Sequence, residues 1–187
     1  QIDAVVAFLK QLYSLRGNPE SGKLPLAREA CLSGDEIVRQ LFARYHNIMR
    51  QAPFHHKLAD FMRNEVDDVM TVAINNARKW YISEGMDFNV NLDKQYQTLS
   101  PSDFGFHNTV QSSDGEITFL DFEYFGWDDP VKLSCDFMLH PGMTLTVEQK
   151  KLWSREMKEI FSEDMSFSQR LAGSYCLYGL CWCLIHL

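Results

Sequence analysis

The sequence predicts an α+β, mainly α, protein, and three observations carry that reading. Apolar residues recur at three- and four-residue spacing before residue 85 and again after residue 146. An Asp-Gly turn flanked by two short β-type runs stands between those stretches. No apolar run reaches the ~18 residues a membrane span requires. At 187 residues, 45% of them hydrophobic, the chain can bury its own core and reads as one domain.

The first helix is expected over Ile2 to Leu15, with Val5, Val6, Leu9, Leu12 and Tyr13 on one face and Gly17-Asn18-Pro19 as its stop. A second begins at the Ser33-x-x-Glu36 capping box and runs to about Gln51, before Pro53; Ile37, Leu41, Ala43, Tyr45 and Ile48 form its apolar side. From Phe54 to about Ser83 the apolar positions (among them Met62, Val66, Val69, Met70, Ala77 and Trp80) describe a long, buried central helix that Gly85 ends. Residues 86–130 then turn to Asp, Asn, Gly and aromatics. Thr109–Gln111 and Ile117–Leu120 are the β-type runs, and Asp114-Gly115 supplies the positive φ of a hairpin turn. Thr146-x-x-Gln149 caps a helix to about Phe161, and Ser166-x-x-Gln169 caps another that stays helical in pattern to Leu187.

The net charge of −7 gives no general footprint for nucleic acid or an anionic membrane surface. Five cysteines without framework spacing point to reduced thiols and a cytoplasmic protein. Cys181 and Cys183, two apart on a helix, face different sides and make a poor metal pair. The first residues hold neither a start Met nor a basic n-region, and the last helix meets no stop signal. Truncation at both ends is therefore expected.

The chemistry concentrates in Leu99-Ser-Pro-Ser-Asp103-Phe-Gly-Phe-His-Asn108, the hairpin, and Phe119-Leu-Asp121-Phe-Glu123-Tyr-Phe-Gly. Phosphoryl transfer to a hydroxyl needs one carboxylate to accept the proton and aim the oxygen, and oxygen ligands to hold Mg²⁺ against the phosphates. An Asp with an Asn five residues later gives a loop whose two ends face one pocket. A hairpin then returns the chain, so that an Asp past its second strand lands beside that Asn. Here these residues are Asp103, Asn108 and Asp121.

This pattern resembles the H-R-D-x-x-x-x-N loop and D-F-G of protein kinases. More closely it resembles the H-G-D-x-x-x-x-N and I-D-F-[GE] motifs of the aminoglycoside phosphotransferase and choline kinase superfamily. Asp121-Phe122-Glu123-Tyr124 is like the choline-kinase variant. Gly126-Trp-Asp128-Asp129-Pro130, followed by Cys135-Asp136-Phe137, looks like the family's G-x-x-D-P…D-L segment. The resemblance implies the helical C-terminal lobe of a protein-kinase-like fold over residues 1–187. It further implies ATP- and Mg²⁺-dependent phosphorylation of a small-molecule hydroxyl, on an aminoglycoside-, choline- or sugar-like acceptor. Asp103 is then the base, Asn108 and Asp121 are the Mg²⁺ ligands, and Asp136 braces the catalytic loop through backbone hydrogen bonds. Two positions depart from the family: Pro101 stands where it has His, and Glu123 where D-F-G has Gly. Residues 1–90 hold no Gly-rich strand-turn-strand and no Lys–Glu pair to grip phosphates. The partner expected for this chain is accordingly an N-terminal nucleotide-clamping lobe preceding Gln1, and the lobe alone is expected to be inactive.

Most of the remaining candidates have a plainer reading beside the functional one. His107 lies inside the catalytic loop and is the candidate phosphate contact; Glu123 completes the metal shell through water, contacts substrate or forms a structural ion pair; Asp128 contacts substrate or solvates a loop. Asp121, after an apolar strand, is expected to be a buried carboxylate for which a metal is the natural partner. Tyr175, Tyr178 and Trp182 form one stripe of the last helix, which is either core or the wall of a cationic-substrate pocket, with Tyr178 and Trp182 as its contacts. The six histidines show no H-x-x-x-H spacing, so a metal-dependent hydrolase finds no His-Asp cluster to build on. A non-catalytic kinase-like binding module is the alternative that Pro101 favours.

Overall fold

The computed structural model describes residues 2–51 and 54–187; Pro53, expected to end the second helix, lies outside them. The chain divides into two compact units. The first comprises Gln1–Cys31 and Leu92–Ser168, the second Leu32–Asn91 and Gln169–Leu187. The α+β, mainly α class holds. Among the described residues no helix is long and apolar enough to cross a membrane.

In the first unit, α1 (Ile2–Ser14) buries Ile2, Val5, Val6, Leu9 and Leu12, the face its spacing specified. It runs into a 3₁₀ turn over Leu15–Gly17. Two short antiparallel pairs follow. β1 (Thr98–Ser100) pairs with β4 (Gly126–Asp128), Leu99 opposite Trp127. β2 (Thr109–Gln111) pairs with β3 (Ile117–Phe119), and its turn closes through Ser112 N–H to the Glu116 carbonyl with Gly115 at φ 90°. The β2–β3 hairpin is the one the Asp-Gly turn foretold. The β1–β4 pair is additional, and residues 25–27 extend it: Ala27 N–H donates to the Trp127 carbonyl and Trp127 N–H to the Pro25 carbonyl, both at 2.9 Å. Those strands are too short, and too far apart in sequence, to leave a period-two signature.

α5 (Pro130–Leu139) starts where Asp129 accepts the Val131 N–H at 2.7 Å with Pro130 in the first turn, an arrangement in which proline's missing donor costs nothing. α6 (Val147–Ile160) carries the full capping box between Thr146 and Gln149. A run of aromatic rings binds these elements together. Phe8 of α1 stacks on Phe119 at 4.5 Å, Phe119 meets Phe104 at 5.1 Å, Phe104 meets Phe137 at 5.8 Å, and Phe137 stacks on the fully buried Trp153 at 3.9 Å. Such pairs contribute about 0.5–1.5 kcal/mol each beyond their buried area. The loop after β1 is thus nailed to the core by its own Phe104.

In the second unit, Ser33 Oγ accepts the Glu36 N–H at the start of α2 (Gly34–Gln51). The long predicted helix is α3 (His56–Phe61), a π-turn over Met62–Val66, and α4 (Asp67–Ser83). Its end is as expected: Gly85 adopts φ 69°, and Met86 N–H reaches back to the Tyr81 carbonyl at 2.8 Å. It is buried along one stripe, through Met62, Val66, Met70, Ile74, Ala77 and Tyr81, while Val69, Val72 and Ile82 are exposed, so the central burial expected of it is one-sided. In α7 (Phe167–Ile185), which stops two residues short of Leu187, Ser174 hydrogen-bonds the Tyr81 hydroxyl at 2.8 Å.

Candidate functional site

Asp103 stands on the loop between β1 and β2, and its side chain is 40% exposed. Two features shape this loop. Phe104, 3% exposed, anchors one side in the aromatic core, while Phe106 N–H donates to the Met143 sulfur at 3.0 Å on the other. An added Cβ at Gly105 would lie 2.7 Å from His107 Nδ1 and 2.9 Å from that sulfur, so glycine is what lets the two close over the backbone.

Asn108 closes the loop. Its Nδ2 donates to the Asp103 carbonyl at 3.0 Å, across the five-residue spacing read in the sequence. The Asn108 carbonyl in turn accepts the Leu120 N–H at 2.9 Å, so the residue before Asp121 is tied to the end of the Asp103 loop. The structure therefore brings together the segments that carry Asp103, Asn108 and Asp121. Asp121 is nevertheless an exposed residue beyond a half-exposed strand, which corrects the expectation of a buried carboxylate: desolvation does not oblige it to hold a cation. Its backbone adopts φ 61°, and Ser102 beside Asp103 adopts φ 69°. Among the described residues three non-glycine positions have positive φ, and two of them flank this site. Backbone strain of that kind concentrates at functional loops. The fit of a hard divalent cation rests on donor chemistry: Asn108 Nδ2 is used by the loop, which leaves its amide oxygen, and Asp121 offers carboxylate oxygens.

The larger surprise is histidine. His107 Nε2 is 2.8 Å from Asp103 Oδ1, and His140 Nε2 is 3.7 Å from the same oxygen. The two imidazoles stack in parallel, centroids 3.8 Å apart and planes 3° from coplanar directions. Gly142 N–H donates to His140 Nδ1 at 3.0 Å and fixes that ring from behind. A His-Asp cluster, which the sequence spacing denied, is therefore present. His140 was missed because it follows α5, far along the chain, and only the packing of the α5–α6 connection returns it to the loop.

The other candidates lie elsewhere. Asp128 is fully buried, so it neither solvates a loop nor faces substrate; its Oδ1 accepts the Cys31 and Asp129 N–H groups. Lys132 Nζ sits one turn from two acids, 2.6 Å from Asp136 Oδ2 and 3.7 Å from Asp128 Oδ2. Burial opposes its charge, but Asp136 and then Asp128 outweigh that and hold the ammonium above the usual lysine range. The Asp136 carboxylate, expected to brace the catalytic loop, thus shows an ion pair with Lys132. Glu123 is exposed and accepts a hydrogen bond from the Tyr124 hydroxyl, which is the main reason the phenol's pKa is raised. Tyr178, 2% exposed, is in the core of the second unit, and Trp182 is half-buried there.

No protein-family model matches the chain, and neither a curated protein nor a solved structure matches it.

Proposed function

We propose that this chain carries the catalytic machinery of a small-molecule phosphotransferase of the protein-kinase-like type. The reaction moves the γ-phosphoryl group of ATP to a hydroxyl. One observation carries the reading: the Asn108 side chain clamps the Asp103 carbonyl while the Asn108 backbone holds Leu120, so one short bridge joins the acid loop to the residue before Asp121.

In this reading Asp103 accepts the proton of the attacking hydroxyl and orients its oxygen; its partial exposure leaves room for an acceptor. Asn108 and Asp121 would hold Mg²⁺, which supplies neutralisation of charge on the phosphates. Phe104 and Asn108 keep the loop from yielding as the acceptor binds, since rigid placement is most of what this chemistry asks of a protein. ATP also needs a clamp on its phosphates, a task that in this reading falls to residues other than Asp103, Asn108 and Asp121. The Asp103–Asn108 and Asp121-Phe122-Glu123 motifs resemble those of the aminoglycoside phosphotransferase and choline kinase superfamily, so amino-alcohols, aminoglycosides and sugars are the acceptors to try first.

One observation favours the second reading, a non-catalytic binding module: His107 already engages the Asp103 carboxylate at 2.8 Å. A coupled assay of ADP release by the full-length protein, run against a library of small alcohols with Mg²⁺, decides between the two. Turnover that falls by about 10²-fold or more in Asp103→Asn supports the transferase. Full turnover in that variant, or none with any acceptor, removes it.

A further inference from the structure

Asp103, His107 and His140 each offer one ligand atom, and those atoms all lie within 4.8 Å of one another. A four-coordinate ion with bonds of about 2.0–2.2 Å sets neighbouring ligand atoms roughly 3.3 Å apart. Asp103 Oδ1 stands 2.8 Å from His107 Nε2 and 3.7 Å from His140 Nε2, distances that bracket this value. Two imidazoles and one carboxylate suit a borderline transition cation, whereas Mg²⁺ prefers an all-oxygen shell.

We propose that Asp103, His107 and His140 form a binding site for a divalent transition metal, with Zn²⁺ the fitting ion, whose occupancy takes the Asp103 carboxylate away from catalysis. The inhibitory half rests on the reading of Asp103 as the base; the binding half does not. Coordination asks two adjustments of the metal-free arrangement. The stacked rings are parallel, and no single ion lies in both ring planes, so one ring turns out of the stack. His140 Nδ1 accepts the Gly142 N–H, which makes Nε2 the protonated nitrogen of the neutral ring. Binding through Nε2 therefore moves that proton to Nδ1 and turns the Gly142 N–H to water. The side chains of His107 and His140 are 21% and 17% exposed, so these turns happen at the surface.

The test is calorimetric titration of Zn²⁺ into the full-length protein, with Co²⁺ absorption reporting the ligand geometry. Cys176 and Cys183 are exposed thiols that would take Zn²⁺ themselves, so both are replaced by Ser throughout. His107→Phe and His140→Phe keep a ring for the stack and remove the nitrogen, and metal-free thermal unfolding confirms that each variant folds. One ion per chain, bound about tenfold or more weakly in each variant, is expected. No saturable binding, or an unchanged Kd in either variant, overturns the site. Zn²⁺-dependent loss of ADP release that His140→Phe relieves supports the inhibitory half. Binding that follows His140 in a protein without turnover keeps the metal site and discards only the role of Asp103 as base.

Discussion

The Asp128 carboxylate and the Cys31 backbone N–H, 97 residues apart in sequence, meet at 3.0 Å in an interior with no access to solvent. Asp128 Oδ1 also accepts the Asp129 N–H at 2.7 Å, while Oδ2 has no hydrogen-bond partner among the described residues and faces Lys132 Nζ at 3.7 Å. The pair fastens the end of the 25–31 segment to the end of β4, where α5 begins. A carboxylate held so deeply is costly in its charged form. Burial pushes its proton affinity up to about 7, against the attraction of Lys132 and two backbone donors.

That shift has a pH signature. The folded protein holds the Asp128 proton up to about pH 7, whereas the unfolded chain releases it near the ordinary carboxylate value. Stability from this group is therefore fully present below about pH 4 and is lost as pH rises through about 7, the reverse of a salt-bridged acid. Glu36 and Glu156, lowered chiefly by hydrogen bonds from Arg39 and Arg155, act in the opposite sense. Comparison with Asp128→Asn isolates the one group. Wild type minus variant, measured by denaturant unfolding, should decline across that interval by on the order of a few kcal/mol. Parallel pH profiles would remove the buried titration.

Gly126→Ala should destabilise the first unit. A Cβ there would lie 2.5 Å from both Ala27 N and the Pro25 carbonyl oxygen, and neither belongs to a side chain that can swing aside. The 25–27 segment would have to leave β4, losing the two 2.9 Å hydrogen bonds to Trp127. About 1–3 kcal/mol of overpacking cost is expected, visible as a lower thermal midpoint. An unchanged midpoint would mean the segment is not held as described.

Thr146→Ala tests a local rule. Thr146 Oγ1 accepts the Gln149 N–H at 3.2 Å, and Gln149 Oε1 accepts the Thr146 N–H at 2.8 Å. The substitution removes the first bond from an exposed helix start and should cost about 1 kcal/mol in thermal unfolding. Thr146→Ser, which keeps the hydroxyl, should recover most of it.

What the sequence disclosed was what depends on near neighbours. The Asp114-Gly115 turn, the Thr146 cap and the Gly85 stop are each contained within a few residues, and each appears in the structure as read; the Asp103–Asn108 spacing appears as a loop closed by one hydrogen bond. Burial was harder. Asp121 was expected inside because an apolar strand precedes it, but β3 belongs to a two-stranded ribbon with no sheet to cover it. Asp128, read as a loop-solvating residue or a substrate contact, is enclosed because residues 25–31 return over β4. His140 illustrates the same gap: its nearness to Asp103 depends on α5 running from a strand end back to the loop, a fact of packing that no local pattern encodes.

Asn108 offers the sharpest separation of loop geometry from metal chemistry, because the two ends of its amide do different work. Its nitrogen donates to the Asp103 carbonyl at 3.0 Å, and the transferase reading gives its oxygen to Mg²⁺. Asn108→Ala removes both, and should lower kcat by about 10²-fold or more while costing only ~1 kcal/mol of stability. Asn108→Asp keeps an oxygen ligand but loses the donor and sets a carboxylate against the Asp103 carbonyl. If Mg²⁺ binds here, raising its concentration should recover part of the turnover of Asn108→Asp and none of that of Asn108→Ala, since a cation relieves the new repulsion only where it is bound. Equal insensitivity of both variants to Mg²⁺ would leave Asn108 as a loop clamp alone, and the metal would have to be sought on other oxygens.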